Sequence, residues 1–172
     1  DLNAKTMPFA IVQADIQYNA VAGLGLFETI GPDQDLRAVL SLHAEAFTVV
    51  VRADAKAANF NDLRGARLSA GRIGTGTRET AEALFEVQNW TPQDRANVID
   101  LPVSDQSEAL CSGKVDAIAV LMGHPSPLIT TLANACAVKL LPVSGEATEQ
   151  LSRKLLYYRP TTISGGTYTG NP

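Results

Sequence analysis

The sequence has no long apolar run, no basic cluster and few residues of the types that bind metal. No stretch approaches the roughly 18 apolar residues that a membrane-spanning helix needs, so no direct membrane insertion is expected. Lysine and arginine number 14 against 18 aspartate and glutamate, a net charge of −4. With no basic patch, neither nucleic acid nor an anionic membrane surface is an expected partner. The two histidines, His43 and His124, stand at no ligand-like spacing from the two cysteines, Cys111 and Cys136, which argues against a metal site. Two cysteines permit one disulfide in an oxidising compartment or two buried thiols in the cytosol. A catalytic set is also missing: no serine sits in a nucleophile elbow, and Cys111 has no histidine near it in sequence. No signal peptide opens the chain, which starts Asp1-Leu2-Asn3; an exported protein would be a processed or trimmed form.

What is present suits a globular protein. Apolar residues make up 45% of the chain and mean hydropathy is +0.02, enough for a proper core. At 172 residues the chain can form one ordinary domain or two small ones. Residues 7–12 (MPFAIV), 36–42 and 47–51 read as strands, with a helix from Asp15, its expected cap, to Gly23. From residue 67 the pattern becomes regular: strands at 67–71, 97–101, 115–121 and 138–143 alternate with helices. Short-spaced alternation predicts a mainly parallel α/β sheet, whose ligands bind at the carboxyl ends of strands.

The turn at residues 71–77 (GRIGTGT) lies between such a strand and an amphipathic helix over 77–89. Its glycines allow tight turning and close approach of a ligand, and the helix start offers unpaired N–H groups and positive dipole to an anion. It is not a Walker loop, since no Gly-Lys-Ser/Thr follows, and it is not the dinucleotide fingerprint; no cofactor is expected. Equally, the glycines could serve turn geometry alone. Other candidates carry similar alternatives. His124 could bond a ligand oxygen or fix the Gly-His-Pro turn, Gln13 could face a cleft, and Glu45 could be a rim residue or, in better accord with its place, a hinge residue. Arg72 and Arg78 could meet an anion or point to solvent.

Several runs together resemble the TAXI family of solute-binding proteins from TRAP transporters: residues 9–15 (FAIVQAD), 36–54, 62–77 (DLRGARLSAGRIGTGT), 109–117 (ALCSGKVDA), Gly123-His124-Pro125, Cys136, 140–143 and Gly165-Gly166-Thr167-Tyr168. The resemblance implies a type II periplasmic binding protein-like fold, two α/β lobes with a hinge. Residues 52–140 would form lobe 2, and 1–51 with 141–172 parts of lobe 1. Family members run longer at both ends, so an incomplete first lobe is implied. It also implies a Cys111–Cys136 disulfide and a periplasmic location. The expected function is capture of a small anionic solute, an amino acid or dicarboxylate such as glutamate or 2-oxoglutarate, by Gln13, Gly74, Thr75, Gly76, Thr77 and His124. Membrane subunits of the transporter would be the partner. The competing readings are a ligand-sensing effector domain of a cytoplasmic regulator and an enzyme acting on a small anionic metabolite.

Overall fold

A computed structural model describes residue 2 and residues 6–171. It divides into two compact units, Asp1–Leu42 and His43–Pro172. In the first, helix α1 (Ala14–Ala22) ends on Gly23, whose φ of 68° is the left-handed cap expected there. Its start differs from expectation. Gln13 occupies the N-cap position, and Asp15 is the second helical residue, where its Oδ1 accepts from the Ile16 N–H at 2.8 Å.

Residues 7–12 and 36–42 are not strands, and no strand occurs among the described residues of this unit. Phe9 (73% exposed), Ile11 (83%) and Val39 (74%) lie open instead. Apolar, β-branched composition makes a strand only where a neighbouring backbone and a face to bury against exist. Among the described residues of this unit, no strand pairs with either run.

The second unit holds a five-stranded sheet: β1 (Ala46–Arg52), β2 (Leu68–Ser69), β3 (Val98–Ile99), β4 (Ala117–Met122) and β5 (Val138–Leu141), in spatial order β3-β2-β4-β1-β5. Strand β2 pairs in parallel with β3 and β4, whereas β1 runs antiparallel between β4 and β5. The fold is therefore mixed α/β: four strands share one direction, as the alternation predicts, and β1 opposes them. The unit takes in β1 and residues 141–172, segments that the family likeness would give to the first lobe.

Helices α2 (Gly76–Val87), α3 (Val103–Cys111), α4 (Pro127–Ala135) and α5 (Glu146–Lys154) flank the sheet. Both sheet faces are covered, which explains why the central strands are apolar without alternation. Val49, Val51, Ala117 and Ala119 face a core with Leu84, Phe85, Trp90 and Leu151. Val50, Ile118 and Val120 face the opposite core, with Leu110, Ile129 and Leu132. Below that second core, Cys111 at the end of α3 and Cys136 at the end of α4 are joined by a disulfide.

Candidate functional site

Because β2 and β4 are parallel neighbours, the turns that leave them open at the same end of the sheet. The turn after β2 begins at buried Gly71 and reaches α2 through exposed Gly74 and Thr75. Gly71 has a φ of 79°, and a Cβ added there would lie 2.9 Å from the Thr77 Cβ and 3.1 Å from the Thr75 Oγ1. Gly74, with φ 84°, has open space around it. The two glycines thus serve different ends: Gly74 needs only the left-handed backbone, while Gly71 also lets both threonines close over it. Gly71→Ala is expected to lower stability by about 2 kcal/mol and Gly74→Ala by about 1 kcal/mol, read from urea denaturation. Equal losses would contradict the packing assigned to Gly71.

Thr75 caps α2. Its Oγ1 donates to the Arg72 carbonyl at 2.7 Å and accepts from the Arg78 N–H at 3.4 Å, and its own carbonyl accepts the first helical bond, from Glu79. The Thr75 hydroxyl therefore shapes the helix start. The N–H groups of Gly76 and Thr77 precede the first helical bond, and among the described residues neither meets an acceptor. The Thr77 Oγ1 accepts from the Leu121 N–H at 3.2 Å, which fastens the start of α2 to the end of β4. Arg78 turns aside to Glu82 at 2.7 Å, and Arg95 meets the same carboxylate at 3.0 Å. Both the free donors and the helix dipole at this spot favour negative charge.

At the end of β4 the chain passes Gly123 to His124, joined to Pro125 by a cis peptide bond. Both ring nitrogens of His124 have protein partners: Nε2 lies 2.7 Å from the Thr48 Oγ1 and Nδ1 2.5 Å from the Tyr168 hydroxyl. That hydroxyl also accepts from the Ser126 N–H at 2.7 Å. Burial holds the His124 pKa below its ordinary value of 6.5. Since the unfolded chain then takes up a proton more readily, the stability this group contributes is complete above about 6.5 and is lost as pH falls through the folded-state value.

The sequence candidates thus fall into three places. Gly74, Thr75, Gly76 and Thr77 form one turn; His124 stands at the neighbouring strand end, brought close through the Thr77–Leu121 bond. Gln13 belongs to the first unit, at the start of α1. Cys111 and Cys136 are paired at a Cα–Cα distance of 5.8 Å. Sequence reasoning missed Thr48, Ser126 and Tyr168, all buried. Ser126 was legible only as the cap before Pro127, and the run Gly165-Gly166-Thr167-Tyr168 marks a turn but says nothing of what its tyrosine reaches.

Among the described residues no group of three or more His, Cys, Asp and Glu could hold a metal ion, and no helix is long and apolar enough to cross a membrane. The chain is similar to solved structures of binding proteins. It shares 19% identity with the periplasmic aliphatic sulphonate binding protein SsuA from Escherichia coli, over 57% of this chain and 31% of that one, at a TM-score of 0.46. Against the substrate binding protein of an amino acid ABC transporter the identity is 24%, covering 58% and 39%, with a TM-score of 0.41. An ancestral arginine-binding protein bound to arginine is 18% identical over 60% and 44%, at 0.43. The chain therefore spans between 31% and 44% of the length of these three. The sequence pattern of the NMT1-like family matches residues 1–172, the whole chain, and the protein belongs to the NMT1-like family.

Proposed function

We propose that the protein is an extracytoplasmic solute-binding receptor, resembling the TAXI subunits of TRAP transporters, that captures a small anion on the turn at residues 74–77. The observation that carries this reading is the pair of unpartnered N–H groups of Gly76 and Thr77 at a helix start, held at the carboxyl edge of the sheet. A ligand carboxylate accepts from these two groups, and the Thr77 hydroxyl, whose oxygen already accepts from Leu121, has its hydrogen left to donate. His124 shapes the rim; its nitrogens are engaged elsewhere.

Amino acids and dicarboxylates, glutamate and 2-oxoglutarate among them, are the ligand class the family resemblance supports. The chemistry is binding with conformational closure, no bond being broken. The division into lobes at residues 52 and 140 belongs to the same proposal, with β1 and β5 as the crossing strands; they lie side by side, Val49 opposite Leu141. The disulfide supports an oxidising, periplasmic location and speaks against the sensor domain of a cytoplasmic regulator. Transport would then require membrane subunits as partner.

Thermal-shift measurement against a panel of organic acids and amino acids tests the reading. A true ligand raises the melting temperature in proportion to the logarithm of its concentration and is recovered unconsumed. Thr77→Ala should weaken that binding by about 1–2 kcal/mol, a factor of about 5–30, with Thr77→Ser restoring it. Unchanged affinity in Thr77→Ala would remove this turn from the site.

A further inference from the structure

One assignment of the bonds around His124 gives every donor an acceptor. The Thr48 Oγ1 lies 3.1 Å from the Ala46 carbonyl, which only accepts, so the Thr48 hydroxyl hydrogen goes there. Its oxygen is then free to accept from an Nε2–H of His124 at 2.7 Å. At the other nitrogen, the Tyr168 oxygen already accepts from the Ser126 N–H, so its own hydrogen points to Nδ1. The chain Ser126 N–H to Tyr168, Tyr168 O–H to Nδ1, Nε2–H to Thr48 and Thr48 O–H to Ala46 uses each donor once. It requires neutral His124 with its proton on Nε2. A second proton would sit on Nδ1, where the Tyr168 hydrogen now points.

Tyr168 belongs to a segment with few other attachments. It is 4% exposed and packs in the core beside Val138 and Ile129. Asn171 accepts from the Leu140 N–H at 2.7 Å, on the outer edge of β5, and bridges back to Tyr168. Residues 164–167 and 169–170 are otherwise mostly exposed. This segment covers a sheet edge whose backbone would otherwise be open.

We propose that residues 164–171 form a clasp, closed over the edge of β5 while His124 is neutral and released when His124 takes up a proton. Uptake at Nδ1 takes away the acceptor of the Tyr168 hydroxyl, and a hydroxyl buried without an acceptor destabilises the closed form. Desolvation favours neutral His124 in the closed form, in accord with this direction. Few other titratable groups face His124. Strand β1 presents uncharged Thr48 and has no ionisable side chain before Arg52 at its far end. The segment entering it carries His43, whose ring lies over Gly123, and Glu45, 3.5 Å from His43 and opposite in charge when His43 is protonated. Helix α4 has no acidic residue in its first turn, and Tyr168 is the clasp's one titratable side chain.

The test combines imidazole NMR titration, with the two histidines told apart by His43→Gln, and amide hydrogen exchange corrected for intrinsic rate. At pH 7.5 the His124 nitrogens should show the Nε2–H tautomer. As pH falls, His124 should titrate below about 6.5. Protection of the Ser126, Gly166 and Asn171 amides should fall about tenfold or more with the same midpoint, about 1.4 kcal/mol of opening. In His124→Gln that protection should no longer depend on pH. In Tyr168→Phe it should be low already at pH 7.5, with the His124 midpoint moved upward. Protection that survives full protonation of His124 in the unsubstituted protein would overturn the clasp, as would an Nδ1–H tautomer or a pH response kept in His124→Gln. Ligand binding enters none of these readouts, so the clasp stands or falls apart from the receptor proposal.

Discussion

Phe85→Ala is expected to lower the stability of the second unit by about 3–5 kcal/mol, the largest loss of any single substitution considered. Phe85 is fully buried on the inner face of α2 and is flanked by two rings. The Trp90 centroid lies 4.6 Å away and the Phe60 centroid 6.0 Å away, nearly parallel to it at 8°. Phe47 then meets Phe60 edge-on at 5.9 Å. The small Ala117 and Ala119 belong to the same core and leave room for this aromatic layer, and alanine at position 85 would leave a cavity in it. The same helix presents the Gly76 and Thr77 N–H groups at its other end, so ligand affinity should fall along with stability. Equilibrium urea denaturation measures the effect; a loss under about 1 kcal/mol would mean that the stack does not anchor α2.

The double substitution Cys111→Ser/Cys136→Ser should destabilise by about 3 kcal/mol, because the bridge closes a loop with a sequence separation of 25. Here the gain lies mostly in the unfolded chain, whose freedom the bridge restricts, so the folded contacts of α3 and α4 should survive the change. Reductant should reproduce the effect in the unsubstituted protein and add nothing in the variant. Mass measurement without reductant on exported protein checks the pairing itself, and two free thiols there would contradict it.

Most of the sheet was legible because its strands are buried on both faces. Runs such as residues 48–51 and 117–120 carry no polar alternation, as strands covered on both faces do not. The antiparallel sense of β1 was not legible: a strand buried on both faces reads the same in either direction, and only pairing with both β4 and β5 fixes it. Residues 7–12 and 36–42 misled for a related reason. Composition reports what a segment would do with a partner, and among the described residues of their unit no strand pairs with them.

For the site, the glycine turn was readable from spacing alone. The division of labour between Thr75 as helix cap and Thr77 as tether to Leu121 was not, since it depends on a strand 44 residues away. The disulfide could not be read from composition, which left free thiols open; the family likeness implied it, and the structure pairs the two sulfurs. The Tyr168–His124 contact spans another 44 residues and carries no local signal, because a tyrosine in a glycine-rich tail can point anywhere.

The most direct test of the receptor account is an amide NMR titration of the protein with glutamate and with 2-oxoglutarate, following Gly74, Thr75, Gly76 and Thr77. The account predicts saturable downfield shifts of the Gly76 and Thr77 amide protons with at least one of the two, lost or weakened in Thr77→Ala. Saturable binding that leaves those two amides unmoved while others respond would contradict it.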